Sequence, residues 1–247
     1  MNRIDLECTM NKNRFHRLEL LVGDAGLNTL KNASVAVFGI GGVGGYAVEA
    51  LVRGGIGRLT LIDPDVICPT NINRQIHALE KTVGRVKVEV MAARCRDINP
   101  QVEVVTHHRA YRSDTGEELL AIEYDYVLDC IDTITDKLHL LQSCDHKGLN
   151  VISSMGAANK LDPTKIEVAD ISATRKCRLA RMIRRELRQR GIERGIKVVY
   201  STEEFRPLTG ADASERQPTL GSSSYLPPLF GLMMAGTVIQ ELIGESD

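Results

Sequence analysis

SVAVFGIGGVGG, residues 34–45, is the stretch that decides the fold of this chain. Its first part, 35–38, is a short apolar run typical of a buried strand. The glycines that follow let the backbone turn tightly and approach a phosphate, and a helix predicted over 43–53 directs its unpaired N–H groups at that anion. We therefore predict a nucleotide-binding loop, and the glycines expected to hold the nucleotide are Gly39, Gly41, Gly42 and Gly44.

Outward from this loop, apolar strands alternate with amphipathic stretches. We predict strands at 35–38, 59–63, 102–106, 126–129 and 150–153, and helices at 43–53, 86–98, 115–122 and 135–147, the last ending at Gly148. This alternation predicts an α/β fold with a doubly wound, Rossmann-like, mostly parallel sheet covered by helices on both faces. Further strands at 165–169 and 197–200 are expected to extend the sheet in antiparallel fashion near the C-terminus.

The overall composition excludes several classes of protein. The 31 basic and 32 acidic side chains nearly cancel, so the whole molecule has no general attraction for nucleic acid or membrane. The six cysteines form no CxxC pair, so we expect free thiols and no structural zinc. The N-terminal residues contain no apolar signal segment, and we expect a cytoplasmic protein.

The apolar segment 225–244 is the one place where a membrane contact could arise. It contains a single charge, Glu241, but the Pro227-Pro228 pair leaves a helix too short for a span. A buried C-terminal helix is expected, and peripheral membrane association is left open.

Asp63 ends the predicted second strand, where a carboxylate can accept hydrogen bonds from ribose hydroxyls. Taken alone, the glycine run and this acid more often indicate NAD(P). Beyond the strand, Arg74 and Lys87 could carry the β- and γ-phosphates that a dinucleotide lacks, or could be ordinary solvated charges. Asp132 follows the fourth strand, where it could bind Mg²⁺ beside a triphosphate or cap the next helix.

Six motifs occur together in one order: RFHR at 14–17, the loop 39–44, DPD at 63–65, NINRQ at 71–75, GRVK at 84–87 and DCID at 129–132. In this order and spacing they resemble the ubiquitin-activating-type adenylyltransferases, which include the enzymes that adenylate molybdopterin and thiamine sulfur carriers. The resemblance implies a homodimer that uses ATP and Mg²⁺, with an arginine like Arg74 reaching the partner's ATP. The roles it implies are nucleotide binding by Gly41, Asp63 and Asp65, phosphate handling by Asn71, Arg74 and Lys87, Mg²⁺ binding by Asp132, and support of the site by Arg17. Of these, Arg74, Lys87 and Asp132 are the expected catalytic residues.

Two departures separate this chain from the sulfur-carrier enzymes. It lacks their paired CxxC motifs, and Cys177 is the only cysteine after residue 144 that could form a thioester.

A helix over 175–190 carries a strong excess of positive charge, with apolar residues on its other side. Such an array suits repeated phosphates, although a merely solvated face is the alternative. The arginines expected to bind such phosphates are Arg178, Arg181, Arg184, Arg185 and Arg188.

TRKCRLAR at 174–181, GAANKLDP at 156–163 and VYSTE at 199–203 resemble the tRNA threonylcarbamoyladenosine dehydratases. That resemblance implies ATP-dependent activation of the threonyl carboxylate, followed by ring closure within the substrate. It also implies one adenylation domain, residues 1–247, with a nucleotide-binding core at 14–155 and a tRNA-binding and lid part at 156–247. The polar loop 201–224 is expected to cover the site.

Three hypotheses therefore stay open. The first is the tRNA-modifying dehydratase, the second an adenylyltransferase for a ubiquitin-like sulfur carrier, and the third an NAD(P)-binding oxidoreductase or a non-catalytic nucleotide-binding module. The arginine helix favours the first over the second, and the set of Arg74, Lys87 and Asp132 disfavours the third. Whether a sulfur-transfer accessory protein assists is left open.

Overall fold

The computed structural model describes residues 13–206 and 220–244. Within them the strands are β1 Ser34–Phe38, β2 Arg58–Ile62, β3 Glu103–His107, β4 Tyr126–Asp129, β5 Val151–Ser154, β6 Ile166–Asp170 and β7 Lys197–Ser201. The helices are α1 His16–Asn32, α2 Gly44–Arg53, α3 Lys87–Ile98, α4 Gly116–Leu119, α5 Ile134–Lys147, α6 Arg178–Gln189 and α7 Leu226–Leu242.

The strands form one sheet in the order β3-β2-β1-β4-β5-β7-β6. All neighbouring strands are parallel except β6 and β7, which are antiparallel. The predicted α/β fold with a mostly parallel sheet is confirmed. The antiparallel extension is confirmed for β6, whereas β7 continues the parallel sheet beside β5.

A hydrophobic core lies on each face of the sheet, because successive side chains of a strand point to opposite faces. Along β1, Val35 and Val37 belong to the core that also holds α2, α3 and α7. Ala36 and Phe38 belong to the core that also holds α5 and α6. Both faces of β1 are therefore buried, which explains its uninterrupted apolar sequence.

Two helices are shorter than their predicted ranges. The helix predicted over 115–122 ends at Leu119, whose carbonyl accepts a hydrogen bond from the Tyr124 hydroxyl. The helix predicted over 175–190 begins only at Arg178, because Lys176 has a φ of 60°, which no α-helix accommodates. Gly148 has a φ of 66° and ends α5 as predicted.

The C-terminal helix α7 packs closely on α2. A Cβ on Gly231 would overlap the Val43 carbonyl oxygen, so glycine permits the two backbones to approach. Among the described residues, no helix is long and apolar enough to cross a membrane. The central part of the predicted covering loop, 207–219, lies outside the described residues.

Candidate active site

A pocket of about 580 Å³ opens at the carboxyl ends of β2, β1, β4 and β5. This is the edge where doubly wound sheets hold ligands, and the volume lies in the range of small-molecule sites. Most of the predicted site residues meet here: Gly39, Gly41, Gly42, Asp63, Asp65, Arg74, Lys87 and Asp132 all line the pocket.

Three glycines of the loop serve two different purposes. Gly39 has a φ of 91° and its Cβ would lie 2.7 Å from the Cys130 carbonyl oxygen, while a Cβ on Gly44 would overlap the Gly39 carbonyl oxygen. These two glycines are required by the fold itself. Gly41 differs, because the nearest atom to its Cβ position is Gln75 Nε2 at 3.8 Å. The space that a Gly41 side chain would fill opens into the pocket, as a phosphate-binding loop requires.

Asp63 connects the end of β2 to the glycine loop. Its two carboxylate oxygens accept hydrogen bonds from the Ile40 N–H at 2.6 Å and the Asp65 N–H at 2.9 Å. Burial raises the pKa of Asp63, and the attraction of Lys87 only partly offsets this effect. Each oxygen keeps a second lone pair, so Asp63 can still accept a hydrogen bond from a ribose hydroxyl.

Lys87 is a buried cation at the first residue of α3. Its Nζ lies 2.7 Å from Asp65 Oδ2 and 3.9 Å from Asp63 Oδ1. An ammonium group has three donors and can donate to a phosphate oxygen as well as to these carboxylates. The pairing with Asp65 fixes the position of the Lys87 ammonium group, and Lys87 lines the pocket.

Arg74 and Asn71 differ in their relation to the pocket. Arg74 lines it, and its Nη1 donates to the Thr70 carbonyl oxygen at 2.9 Å and to Asn73 Oδ1 at 2.8 Å. Asn71 Oδ1 accepts a hydrogen bond from the Cys68 N–H at 3.1 Å at the start of the 3₁₀-helix Pro69–Asn71, and Asn71 does not line the pocket. Geometry within one chain therefore supports phosphate contact by Arg74 and a local structural contact by Asn71.

Asp132 is exposed in the loop after β4 and lines the pocket together with Asp136. In the described parts of the chain, no group of three His, Cys, Asp or Glu side chains could hold a metal ion alone. Mg²⁺ in nucleotide sites is commonly held by one or two carboxylates plus substrate phosphates. The carboxylates present fit a metal of that kind.

Lys137 binds the end of β4, directly before the loop that holds Asp132. This lysine was not predicted from the sequence. It is fully buried, and its Nζ donates to Asp129 Oδ2 at 2.6 Å, Ser153 Oγ at 3.2 Å and the Ser154 carbonyl oxygen at 3.1 Å. All three donors of the ammonium group are used, as a buried charge requires. The lysine joins the carboxyl ends of β4 and β5, and its position among the buried leucines of α5 was the available sequence signal.

Tyr111 forms an apolar wall of the pocket beyond β3 and was also missed. Its ring packs edge-on against Phe38, with 5.2 Å between ring centroids. Its hydroxyl lies 2.9 Å from His139 Nδ1, and a Cβ on Gly116 would come within 2.8 Å of that hydroxyl. Tyr111 and Asp63 line the same pocket, and an apolar surface there suits the flat face of a nucleobase.

His77 is a third residue that sequence reasoning missed. It is buried beside the first turn of α2, where its Nδ1 lies 3.2 Å from the Cβ position of Gly45. Burial and the nearby charges of Lys87 and Arg94 lower its pKa to about 4. The ring is therefore neutral at pH 7 beneath the glycine loop.

Arg17 and the arginines of α6 lie outside the pocket. Arg17 is exposed on α1 and does not line it. Helix α6 reaches the pocket through Leu179, while Ala180, Ile183 and Leu187 are buried against the sheet. Four of its predicted tRNA-binding arginines are exposed, namely Arg178, Arg181, Arg185 and Arg188.

Arg184 differs from the other four arginines of α6. It is half-buried, and its Nη1 donates to the Thr174 carbonyl oxygen at 2.8 Å and to the Thr174 hydroxyl. These contacts direct the guanidinium toward the turn before the helix. Arg178 also has a partner, because its guanidinium lies 4.8 Å above the centre of the Phe205 ring.

Burial keeps two of the described cysteines as neutral thiols. Burial raises the pKa values of Cys95 and Cys144 to about 12, so both are neutral thiols at pH 7. Cys177 is buried at the start of α6, and Cys68 is exposed. All five described cysteines are free.

The fold and pocket define a nucleotide-binding α/β protein of the adenylating kind, and comparison with known proteins agrees with this class. The profile of the ThiF family matches residues 15–247. The chain belongs to the ThiF family.

Within this family, the chain is similar over nearly its whole length to one kind of enzyme. The tRNA threonylcarbamoyladenosine dehydratase of Bacillus subtilis is 43% identical over 243 residues, which cover 94% of this chain and 95% of the relative. The crystal structure of Escherichia coli tRNA N6-threonylcarbamoyladenosine dehydratase, TcdA, in complex with ATP has a TM-score of 0.85 and 34% identity, covering 94% of each chain. A structure of the same protein in complex with AMP matches equally well. The resemblance to these dehydratases is confirmed.

Proposed function

We propose that this chain is an ATP-dependent tRNA threonylcarbamoyladenosine dehydratase. The observation that carries the proposal is the pocket itself, which brings the glycine loop, Asp63, Lys87, Arg74 and Asp132 to one edge of the sheet. Relatives that match nearly the whole chain bear the name of this activity, and one of them has been crystallised with ATP. Residues 1–247 are proposed to act as one adenylation domain, with the nucleotide core at 14–155 and the tRNA-binding part at 156–247.

The pocket can hold ATP in one direction. The base lies against Tyr111, the ribose hydroxyls donate to Asp63, and the phosphates extend across the glycine loop toward Arg74 and Asp132. Gly41 leaves room for a phosphate, and the N–H groups at the start of α2 provide favourable partial charge. The wall formed by Ser154 and Gly156 then remains for the acyl substrate.

The chemistry begins with attack of the threonyl carboxylate on the α-phosphorus of ATP. The carbon–oxygen–phosphorus linkage forms as the bond to pyrophosphate breaks, and Arg74 and Lys87 stabilise the charge on the departing pyrophosphate. Mg²⁺ bound at Asp132 would supply further neutralisation of the phosphates. A nucleophilic group of the same side chain then attacks the activated carbonyl, which closes the ring and releases AMP.

Ring closure within the substrate needs no thiol from the enzyme. This agrees with Cys130, which lines the pocket and whose pKa is raised by burial, and with the buried position of Cys177. A thioester mechanism needs an accessible, ionisable cysteine near the pocket. The chemistry of a protein-carrier enzyme is therefore supported less well by this site.

The tRNA is proposed to lie along α6. Its exposed arginines form a row of guanidinium groups that suits consecutive phosphates. Leu179 of the same helix lines the pocket, so a tRNA held on α6 has its modified base close to the acyl end of the site. Arg184 is left out of this surface because its guanidinium binds Thr174.

The proposal includes a homodimer in which Arg17 of one copy supports the pocket of the other. The residue is exposed on α1 and does not line the pocket of its own chain, although the family resemblance assigns it a supporting role. A second copy could bring it to the site. The proposal includes a cytoplasmic location.

The test is incubation of the protein with ATP, Mg²⁺ and tRNA that carries threonylcarbamoyladenosine, followed by mass analysis of the nucleosides. The proposal predicts loss of one water from the modified nucleoside, with AMP and pyrophosphate formed only when that tRNA is present. Tight NAD(P) binding without ATP turnover would favour an oxidoreductase. Adenylation of a ubiquitin-like protein with no change in the tRNA would favour the carrier-activating alternative.

A further inference from the structure

The segment 220–224 crosses the pocket and is here called the strap. It is the first segment that the structure describes after residue 206. Leu220 lines the pocket. The Gly221 N–H donates to Asn159 Oδ1 at 2.6 Å, on the side of β5, and the Ser222 carbonyl oxygen accepts from Asn73 Nδ2 at 3.0 Å, on the side of β2. Two asparagines from opposite sides of the pocket therefore hold adjacent residues of one segment.

Asn159 holds the strap with both its backbone and its side chain. Besides the bond to the Gly221 N–H, its own N–H donates to the Gly221 carbonyl oxygen, and its Nδ2 donates to the Arg206 carbonyl oxygen at 3.0 Å. Its φ of 56° is a left-handed conformation that asparagine adopts more readily than most residues. Asn159 directly follows the pocket residues 156–158, so the strap is attached to the wall at the acyl end.

Asn73 connects the strap to Arg74. Its Nδ2 donates to Ser222, and its Oδ1 accepts from Arg74 Nη1 at 2.8 Å. The carboxamide is planar and rigid, so the position of the strap and the position of the guanidinium are linked through one group. Arg74 is the residue proposed to stabilise the leaving pyrophosphate.

The chain after the strap is fixed to the same two sides. The Tyr225 hydroxyl donates to the Leu161 carbonyl oxygen at 2.7 Å. Pro227 then lines the pocket, and its Cβ lies 3.2 Å from the Cβ position of Gly42 in the phosphate loop. The strap is thus held at Gly221 and Ser222 and at the residues that directly follow it.

We propose that Asn73 and Asn159 are positioning residues that hold the strap across the nucleotide pocket and through it fix the Arg74 guanidinium toward the phosphates of ATP. This inference rests on the proposed use of ATP. It assigns a role in substrate positioning to two asparagines whose side chains bind backbone groups of the strap.

The test is a double-mutant cycle on ATP affinity, measured by titration calorimetry. Asn73→Leu removes both bonds of that side chain without adding a charge, and Asn159→Gly removes the amide while permitting the left-handed backbone. Each is made alone and in an Arg74→Gln background. Asn150→Leu is the matched control for Asn73→Leu, because both asparagines are exposed and both donate from Nδ2 to a backbone carbonyl, Asn150 to that of Asp125 at 3.2 Å.

We expect Asn73→Leu and Asn159→Gly each to weaken ATP binding about tenfold, the size of effect that one well-placed hydrogen bond gives. In the Arg74→Gln background the same changes should cost less than about twofold, because their effect passes through Arg74. Asn150→Leu should bind ATP like the unchanged protein.

Equal losses in both backgrounds, or no loss in either, would overturn the assignment, since a purely structural contact does not depend on Arg74. If the unchanged protein binds no ATP, the proposed function fails and this inference fails with it. If it binds ATP and the cycle is additive, only the role of the strap is lost.

Discussion

The glycine loop 39–45 and the arginine helix α6 border the same pocket but are constrained in different ways. In the loop the backbone determines the residues, since Gly39 and Gly44 leave no space for a Cβ. In α6 the arginine side chains take different roles, because Arg184 turns inward whereas Arg181 is exposed. A backbone-built site can thus be recognised from spacing, whereas a side-chain-built surface needs the structure.

The largest difference in activity is expected between a variant of Asp132, at the end of the pocket, and a variant of Cys177, at the start of α6. Asp132→Ala should lower turnover on the order of a thousandfold, because it removes the carboxylate proposed to hold Mg²⁺ beside the triphosphate. Cys177→Ser should keep most of the activity, since ring closure uses a nucleophile of the substrate. Rates of AMP formation with modified tRNA measure both, and equal loss in the two variants would restore a thioester mechanism.

Alanine substitutions at the two kinds of glycine in the loop should affect different properties, namely stability and ATP binding. Gly44→Ala should lower the free energy of unfolding by about 4 kcal/mol or more, because its Cβ would overlap the Gly39 carbonyl oxygen. Gly41→Ala should leave the free energy of unfolding nearly unchanged and weaken ATP binding, because its Cβ enters the pocket. Urea denaturation and ATP titration of both variants check this, and a stable Gly44→Ala protein would contradict the distinction.

The free energy of unfolding should depend on pH through His77, which is buried beside the glycine loop. Its pKa in the folded protein is lowered to about 4, below the ordinary value of 6.5, so the unfolded chain binds a proton that the folded chain does not. The stability due to neutral His77 is complete above pH 6.5 and is lost as pH falls toward 4, at a cost of about 3 kcal/mol.

Urea denaturation across this pH range measures that loss, with His77→Gln as the comparison. The variant cannot acquire the charge, so its free energy of unfolding should fall less between pH 6.5 and 4. Parallel curves for the two proteins would show that His77 is not the group responsible.

Within α6, Arg184→Gln should lower the free energy of unfolding by about 2 kcal/mol, because charged hydrogen bonds to Thr174 are lost. It should not alter the salt dependence of tRNA binding. The triple change Arg181→Gln, Arg185→Gln and Arg188→Gln should do the reverse, reducing the slope against log salt by about two to three units. An unaltered slope in the folded triple variant would remove α6 from the tRNA surface.

The sequence allowed the core of the fold to be predicted because strand periodicity and glycine spacing are local signals. The strand at 126–129 matches β4, and Gly148 ends α5 as expected. The start of α6 was missed because the left-handed Lys176 has no strong local signal.

Contacts distant in sequence were also out of reach. Lys137 meets Asp129 and Ser153 only when β4 and β5 lie side by side, and Asn73 meets Ser222 across 149 positions of the chain. The inward turn of Arg184 likewise depends on the carbonyl oxygen of Thr174, whose position periodicity does not give.

The central claim is that the substrate carboxylate attacks the α-phosphorus of ATP. It is tested most directly with modified tRNA whose threonyl carboxylate oxygens are labelled with ¹⁸O, followed by mass analysis of the nucleotide products after one turnover. The account predicts AMP that carries one ¹⁸O atom, because the carbon–oxygen bond to the labelled oxygen breaks when the ring closes. Formation of ADP with the label in inorganic phosphate would contradict it, since the attack would then have occurred at the γ-phosphorus.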